Sequence, residues 1–194
     1  MKSIIVLTAL LISTGSFAQT VWVLDQPHTN IGFVVTHMII AEVEGEFREF
    51  DGRVASTSDD FQGSTVEFRA NTASISTNNE RRDGHLKSPD FFDVVNYPEI
   101  LFKGTLVKDG GAYLLAGDLT IRGVTKNVKL PVRYLGMINT QNGRKAGFKI
   151  SGSINRFDYG VSWNSRLDTG GLIVGEEVQI NINVELNEVV PSPK

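Results

Sequence analysis

The sequence predicts an all-β fold, a many-stranded antiparallel barrel or sandwich with one short helical insert. Three observations predict it. Apolar and polar residues alternate with period two through most of the chain. Gly, Asn, Asp and Pro interrupt these runs at short intervals, so neighbouring strands should be antiparallel. One charged stretch, from Glu80 to Pro98, breaks the alternation and carries helix signals instead.

The elements follow in order. Val21 to Leu24 opens, and Asp25-Gln26-Pro27 turns the chain. Asn30 to Met38 places Ile31, Phe33, Val35 and His37 on one face. Glu44 to Arg53 alternates around Phe47 and Phe50, and Thr65 to Asn71 sets Val66, Phe68 and Ala70 against Thr65, Glu67 and Arg69. Glu99 to Leu106 puts Ile100 and Phe102 together, and Tyr113 to Ile121 aligns Tyr113, Leu115, Gly117, Leu119 and Ile121. Gly123 then turns the chain into Asn127 to Leu135. Gly147 to Asn155 aligns Phe148, Ile150, Gly152 and Ile154, and Glu177 to Leu186 aligns Val178, Ile180, Ile182, Val184 and Leu186. These runs amount to eight or nine strands. Glycines within them (Gly32, Gly117, Gly152) relieve crowding at bends and favour a barrel over a sandwich.

In the insert, Asn78 or Asn79 caps a first helix over Glu80 to Leu86. Ser88-Pro89-Asp90 offers a second start, with Ser as cap and Pro at the first helical position, and Pro98 ends any helix by Tyr97. Leu86, Phe91, Phe92 and Val95 give the insert an inward apolar surface. The C-terminal Val189 to Lys194 reads as a frayed tail.

The N-terminus reads as an export signal. Met1-Lys2 is a positive start, Ile4 to Ile12 is apolar apart from Thr8, and Ser16-Phe17-Ala18 presents small residues for cleavage after Ala18. The apolar run falls short of the roughly 20 residues a bilayer span needs. The expected organisation is a signal peptide over 1–18 and one barrel domain over 19–194. Loss of Lys2 takes the formal charge from −3 to −4. No basic cluster stands out, so nucleic acid is not an expected partner, nor is stable membrane insertion. With no cysteine in 194 residues, disulfides, thiolate zinc sites and thiol nucleophiles are excluded.

No constellation demands catalysis. His28 and His37 fall on opposite faces if they share one regular strand, His85 lies elsewhere, and no pair has a familiar ligand spacing, so no metal is expected. Asp90 and Asp93 sit at i, i+3 of the expected second helix, where acid–base work and stabilisation of a helix N-terminus are both open readings. Arg82 or Lys87 suits an anionic headgroup, or belongs to a solvated face. Arg156 and Asp158 suit an ion pair across a turn. A filled core and an open apolar pocket give the same periodicity, and eight strands can enclose either.

The motifs are also similar to a known family. Trp22-Val23-Leu24-Asp25 with His28-Thr29-Asn30-Ile31-Gly32-Phe33 and His37 resembles the opening of YceI-like proteins. Arg82-Asp83-Gly84-His85-Leu86-Lys87-Ser88-Pro89-Asp90-Phe91-Phe92-Asp93, then Tyr97-Pro98, resembles the family's central motif. Leu119 to Lys126 and Arg156 to Gly160 match later motifs in order. The resemblance implies an eight-stranded, lipocalin-like antiparallel barrel, exported to the periplasm and holding a polyisoprenoid. Members look like carriers of isoprenoid quinones or their precursors, some of them homodimeric. It assigns no catalytic residue and no cofactor beyond the bound lipid.

On this basis the expected lining is Phe33, Val35, Phe68, Phe102, Leu119, Ile121, Phe148 and Ile150. Phe91 and Phe92 should close the mouth, with Arg82 and His85 near the headgroup. A slip of one residue in any strand would exchange its faces. An exported hydrolase or isomerase using Asp90, Asp93 or His85, and a ligand-free structural or stress-response barrel, are the alternatives.

Overall fold

The computed structural model describes residues 19–165 and 172–190, and the expected signal peptide and the last four residues lie outside them. Among the described residues, eleven strands and one α-helix follow in the order β1 (Thr20–Leu24), β2 (Asn30–His37), β3 (Ala41–Phe47), β4 (Phe50–Ser56), β5 (Ser64–Asn71), β6 (Ile75–Ser76), α1 (Glu80–Lys87), β7 (Glu99–Asp109), β8 (Ala112–Ile121), β9 (Val124–Thr140), β10 (Gly143–Asn155) and β11 (Val174–Glu188). Every pairing is antiparallel, and β1 pairs with both β4 and β11, which closes an eight-stranded ring β1-β4-β5-β7-β8-β9-β10-β11. Above it, β2, β3 and β6 extend from the other end of β11. Among the described residues, no helix is long and apolar enough to cross a membrane.

Most expected faces are observed. Val66 and Ala70 face in from β5, Ile100 and Phe102 from β7, Leu119 and Ile121 from β8, and Phe148 and Ile150 from β10. Breaks in the staves explain the differences. Phe47 and Phe50 both pack inward although their odd spacing opposes it in one regular strand. Arg48 and Glu49 bend the chain between β3 and β4 and reset the parity. The 3-10 turn Gln26–His28 does the same between Leu24 and Ile31. His28 and His37 therefore never share one strand.

Sheet strands β9, β10 and β11 are longer than expected. The β9–β10 register shifts at Gly147 and Phe148, opposite Gly136, whose φ is 119°. Arg122 and Gly123, at φ 48° and 73°, form the tight turn between β8 and β9 that only a left-handed backbone permits. Gly117 relieves crowding as expected: a Cβ there or at the paired Gly104 would overlap the facing backbone first and the Phe102 ring next, so the two glycines also seat that ring. Val189 still donates to the carbonyl of Val21, which corrects the expected start of the tail.

In the insert, Asn79 caps α1 by accepting from Arg82 N–H. The second helix does not form. Ser88 closes α1 instead, its N–H and hydroxyl both donating to the His85 carbonyl. Asp93, at φ 50°, turns the chain out of helical space. Val95 is 88% exposed and is not part of the inward surface.

Candidate functional site: an apolar barrel interior

The inward faces do not fill the barrel. They border a cavity of about 260 Å³, walled by side chains of the ring strands and of β2 and β3 and covered by Leu86, Phe91 and Phe92. Native interiors hold few voids larger than a water molecule, and an engineered apolar cavity of ~150 Å³ stays dry and binds benzene. An apolar guest that filled this space would recover packing that unfilled volume forgoes.

Of the twelve expected site residues, the structure places Phe33, Val35, Phe68, Phe91, Phe92, Phe102, Leu119, Ile121, Phe148 and Ile150 on this lining. Arg82 and His85 are not there. They border a wider vestibule of about 480 Å³ above it, together with His37, Arg81, Trp163 and Ile173. Phe33, Val35, Leu86, Phe91 and Val174 line both spaces, so the vestibule and the chamber adjoin across these side chains.

The mouth is aromatic. His85, Phe91 and Trp163 form a triad with ring centroids 4.9–5.2 Å apart, and Phe92 meets Phe47 edge-on at 5.7 Å. Its polar groups are largely engaged. Arg82 donates from Nε to Thr77 Oγ1 at 2.7 Å and from Nη2 to the Thr77 carbonyl at 2.8 Å, so it ties α1 to the chain before it. His85 Nε2 lies 2.9 Å from Asp90 Oδ2 in an exposed pair. Ser88 Oγ serves the His85 carbonyl rather than its ring, and the Asp93 carboxylate accepts twice from Asn96 Nδ2. Arg122 donates to the carbonyls of Pro89 (2.7 Å) and Gly160 (2.6 Å), strapping the cover to the turn after β10.

Arg156 does not pair with Asp158. It is 5% exposed, and its guanidinium donates to the carbonyls of Val161, Trp163, Val174 and Gly175 at 2.6–3.1 Å. Burial holds its pKa below the usual arginine value. Four carbonyl dipoles therefore solvate this charge in the chamber wall, and it pins both segments that flank the rim.

The lower end is closed. Phe61, in the loop between β4 and β5, is fully buried and lines the chamber from below. Its ring packs against Trp22 and Phe148, each at 5.0 Å, and Tyr134 at 5.7 Å. Outside, Arg144 lies over the Trp22 ring and bonds Glu188 (2.8 Å) and Asp59 (2.7 Å), which raises its own pKa and lowers that of Glu188.

Sequence reasoning missed Phe61, Trp163 and the bracing role of Arg122. A lone Phe in the otherwise polar stretch Thr57 to Gly63 is the signal that could have found the first. It also missed that Asp25, His28 and Glu185 meet, their ligand atoms all within 4.8 Å of one another. Lys145 Nζ stands 2.6 Å from both carboxylates, where a cation would sit, so the group is an ion-pair cluster. The Lys145 hydrogen bond draws the Asp25 pKa down to about 2.

Comparison with known proteins fits this architecture. A family model described as YceI-like domain matches residues 22–186. A UPF0312 protein of Staphylococcus epidermidis is 34% identical over 165 residues, covering 84% of this chain and 95% of its own. The crystal structure of Burkholderia cenocepacia BcnA superposes with a TM-score of 0.71 at 25% identity, over 84% of this chain and 98% of that one. The Campylobacter jejuni YCEI protein gives 0.68 at 29% identity, over 86% and 97%. A Saccharophagus degradans domain described as polyisoprenoid-binding shares the fold at 0.61 and 13% identity, over 87% and 98%. With its motifs in order, its ring of eight strands and a match across nearly the whole barrel, the chain belongs to the YceI-like family.

Proposed function

We propose that the protein is a periplasmic binding or carrier protein that holds a polyisoprenoid, an isoprenoid quinone or a precursor of one, inside the barrel. One observation carries the reading: the chamber of about 260 Å³ is walled almost wholly by hydrocarbon side chains. Such a space suits a guest with a long apolar tail and a polar end left at the vestibule. Burial contributes about 0.8 kcal/mol per CH₂ as an upper estimate, so a few isoprene units suffice for retention without specific polar contacts. The polyisoprenoid-binding description of the Saccharophagus degradans domain supports the same ligand class on the same fold. The charge, apolar and small-residue order of Met1 to Ala18 supports export.

Organic extraction of the purified protein followed by mass spectrometry tests the reading. A stoichiometric polyisoprenoid is expected, or uptake of added isoprenoid quinone by the delipidated protein. Failure of both would sink the carrier reading and leave the ligand-free barrel. The exposed His85–Asp90 pair favours the second reading, a hydrolase or isomerase. It predicts a turnover that Asp90→Asn abolishes while lipid content stays unchanged.

A further inference from the structure

We propose that Phe61 is the gauge that sets how long a chain the barrel accepts; this rests on the polyisoprenoid reading above. The two ends of the chamber are not equivalent as stops. At the mouth, the guest's polar end stays at the vestibule, beyond Leu86, Phe91 and Phe92, so added length must be taken up inward. At the floor the lining includes Phe61, from the loop between β4 and β5, beside Leu106, Val132 and Leu186 of the strands. Phe61 lines the chamber, whereas Trp22, the ring packed behind it, does not.

The stop is held firmly. Its neighbours Asp60 and Gln62 are exposed, while Phe61 itself is fully buried among Trp22, Tyr134 and Phe148. Its backbone sits at φ 58°, a conformation that a bulky residue adopts only when the surroundings impose it. They do so here: Phe61 N–H donates to the Ser58 carbonyl, Ser64 N–H donates to that of Phe61, and the Tyr113 hydroxyl donates to that of Asp60. Gly63 N–H adds a bond to the Leu106 carbonyl at the end of the β5–β7 ladder. A tail entering from the mouth therefore meets a fully buried aromatic ring whose loop is held by these bonds.

The ring's size sets the expected step. Replacing a benzyl group by a methyl vacates about six carbons, roughly the space of one five-carbon isoprene unit. Trp22 stands behind as the next stop, so the gain should end there.

Delipidated full chain would be offered an equimolar series of polyprenols differing by single isoprene units, and the bound fraction read by mass spectrometry. The native protein should show a sharp upper length limit. Phe61→Ala should raise that limit by about one unit, Phe61→Leu should admit the next-longer chain more weakly, and Phe61→Trp should lower the limit. Should the Ala variant fail to fold, the Leu and Trp variants decide. A native protein with a clear limit that none of these variants moves would overturn the gauge and leave the carrier reading intact. A native protein that takes up no polyprenol of any length overturns both.

Discussion

At the floor, one phenylalanine is fully buried among three aromatic rings; at the rim, Met38, Ile39 and Ile40 form a hairpin tip whose exposures run from 41% to 89%. Both turns hold non-glycine residues at positive φ, Phe61 below and Met38 and Ile39 above. Below, the unusual backbone drives an apolar side chain into the core. Above, it delivers apolar side chains to water. The cover differs from the floor in the same way. Helix α1 has no fully buried residue and carries Gly84 in its middle, and the segment after it is a chain of turns. The comparison teaches that local strain has no fixed meaning, since its setting decides whether it locks an end or leaves one accessible.

Three perturbations test the difference between floor and rim. The largest effect is expected at the floor. Trp22 is 1% exposed, and Trp22→Ala should lower the free energy of unfolding by about 3–5 kcal/mol in denaturant titrations. An effect below ~1 kcal/mol would show that the floor is not the stable end. At the rim, Arg156→Met leaves four carbonyls without their donor and should cost about 2–3 kcal/mol. Hydrogen exchange should then quicken at 161–163 and 173–175 before it quickens in β5 or β7. Uniform acceleration would show that the rim is not separable from the ring.

The smallest effect concerns the ion cluster beside the β1–β2 break. The pKa of Asp25 falls from 3.8 to about 2, chiefly through its bond to Lys145. A lowered folded-state pKa contributes stability that is fully present above pH 4 and is lost as pH falls from about 4 to 2. His28, Lys145 and Glu185 are all partly exposed, so screening reduces this contribution to about 1 kcal/mol. Thermal unfolding across that range should show the loss, and Asp25→Asn should flatten it. An unchanged slope in the variant would assign the acid sensitivity elsewhere.

The sequence made the regular wall readable and the breaks unreadable. In β5, β7, β8, β10 and β11 the alternation alone identified the inward residues, because an uninterrupted ladder fixes every face once one is known. The parity reset at Arg48–Glu49 depends on a backbone bend that ordinary polar residues make with no composition signal, whereas Pro27 announces the turn at Gln26–His28 but not its effect on parity. Ser88-Pro89-Asp90 shows the opposite failure. Its local signals were strong, but Ser88 was already required to end α1. At the site, aromatic residues in strands were found readily, whereas Phe61 and Trp163 lie in irregular segments where only tertiary packing orients a ring.

Strand β11 is a branch point. Its last residues close the ring with β1, and its earlier ones carry β2, β3 and β6 as a free-edged flap. Beyond the Asn71–Glu99 pairing, no ladder among the described residues joins that flap to β7 across the gap that α1 and the following turns occupy. The barrel is thus a cup with a slit in its upper wall. Widening the slit separates side chains and turn contacts but breaks no hydrogen bond of the ring. On the carrier reading proposed above, that gap is a side entry for a bulky guest that leaves the ladders of the ring intact.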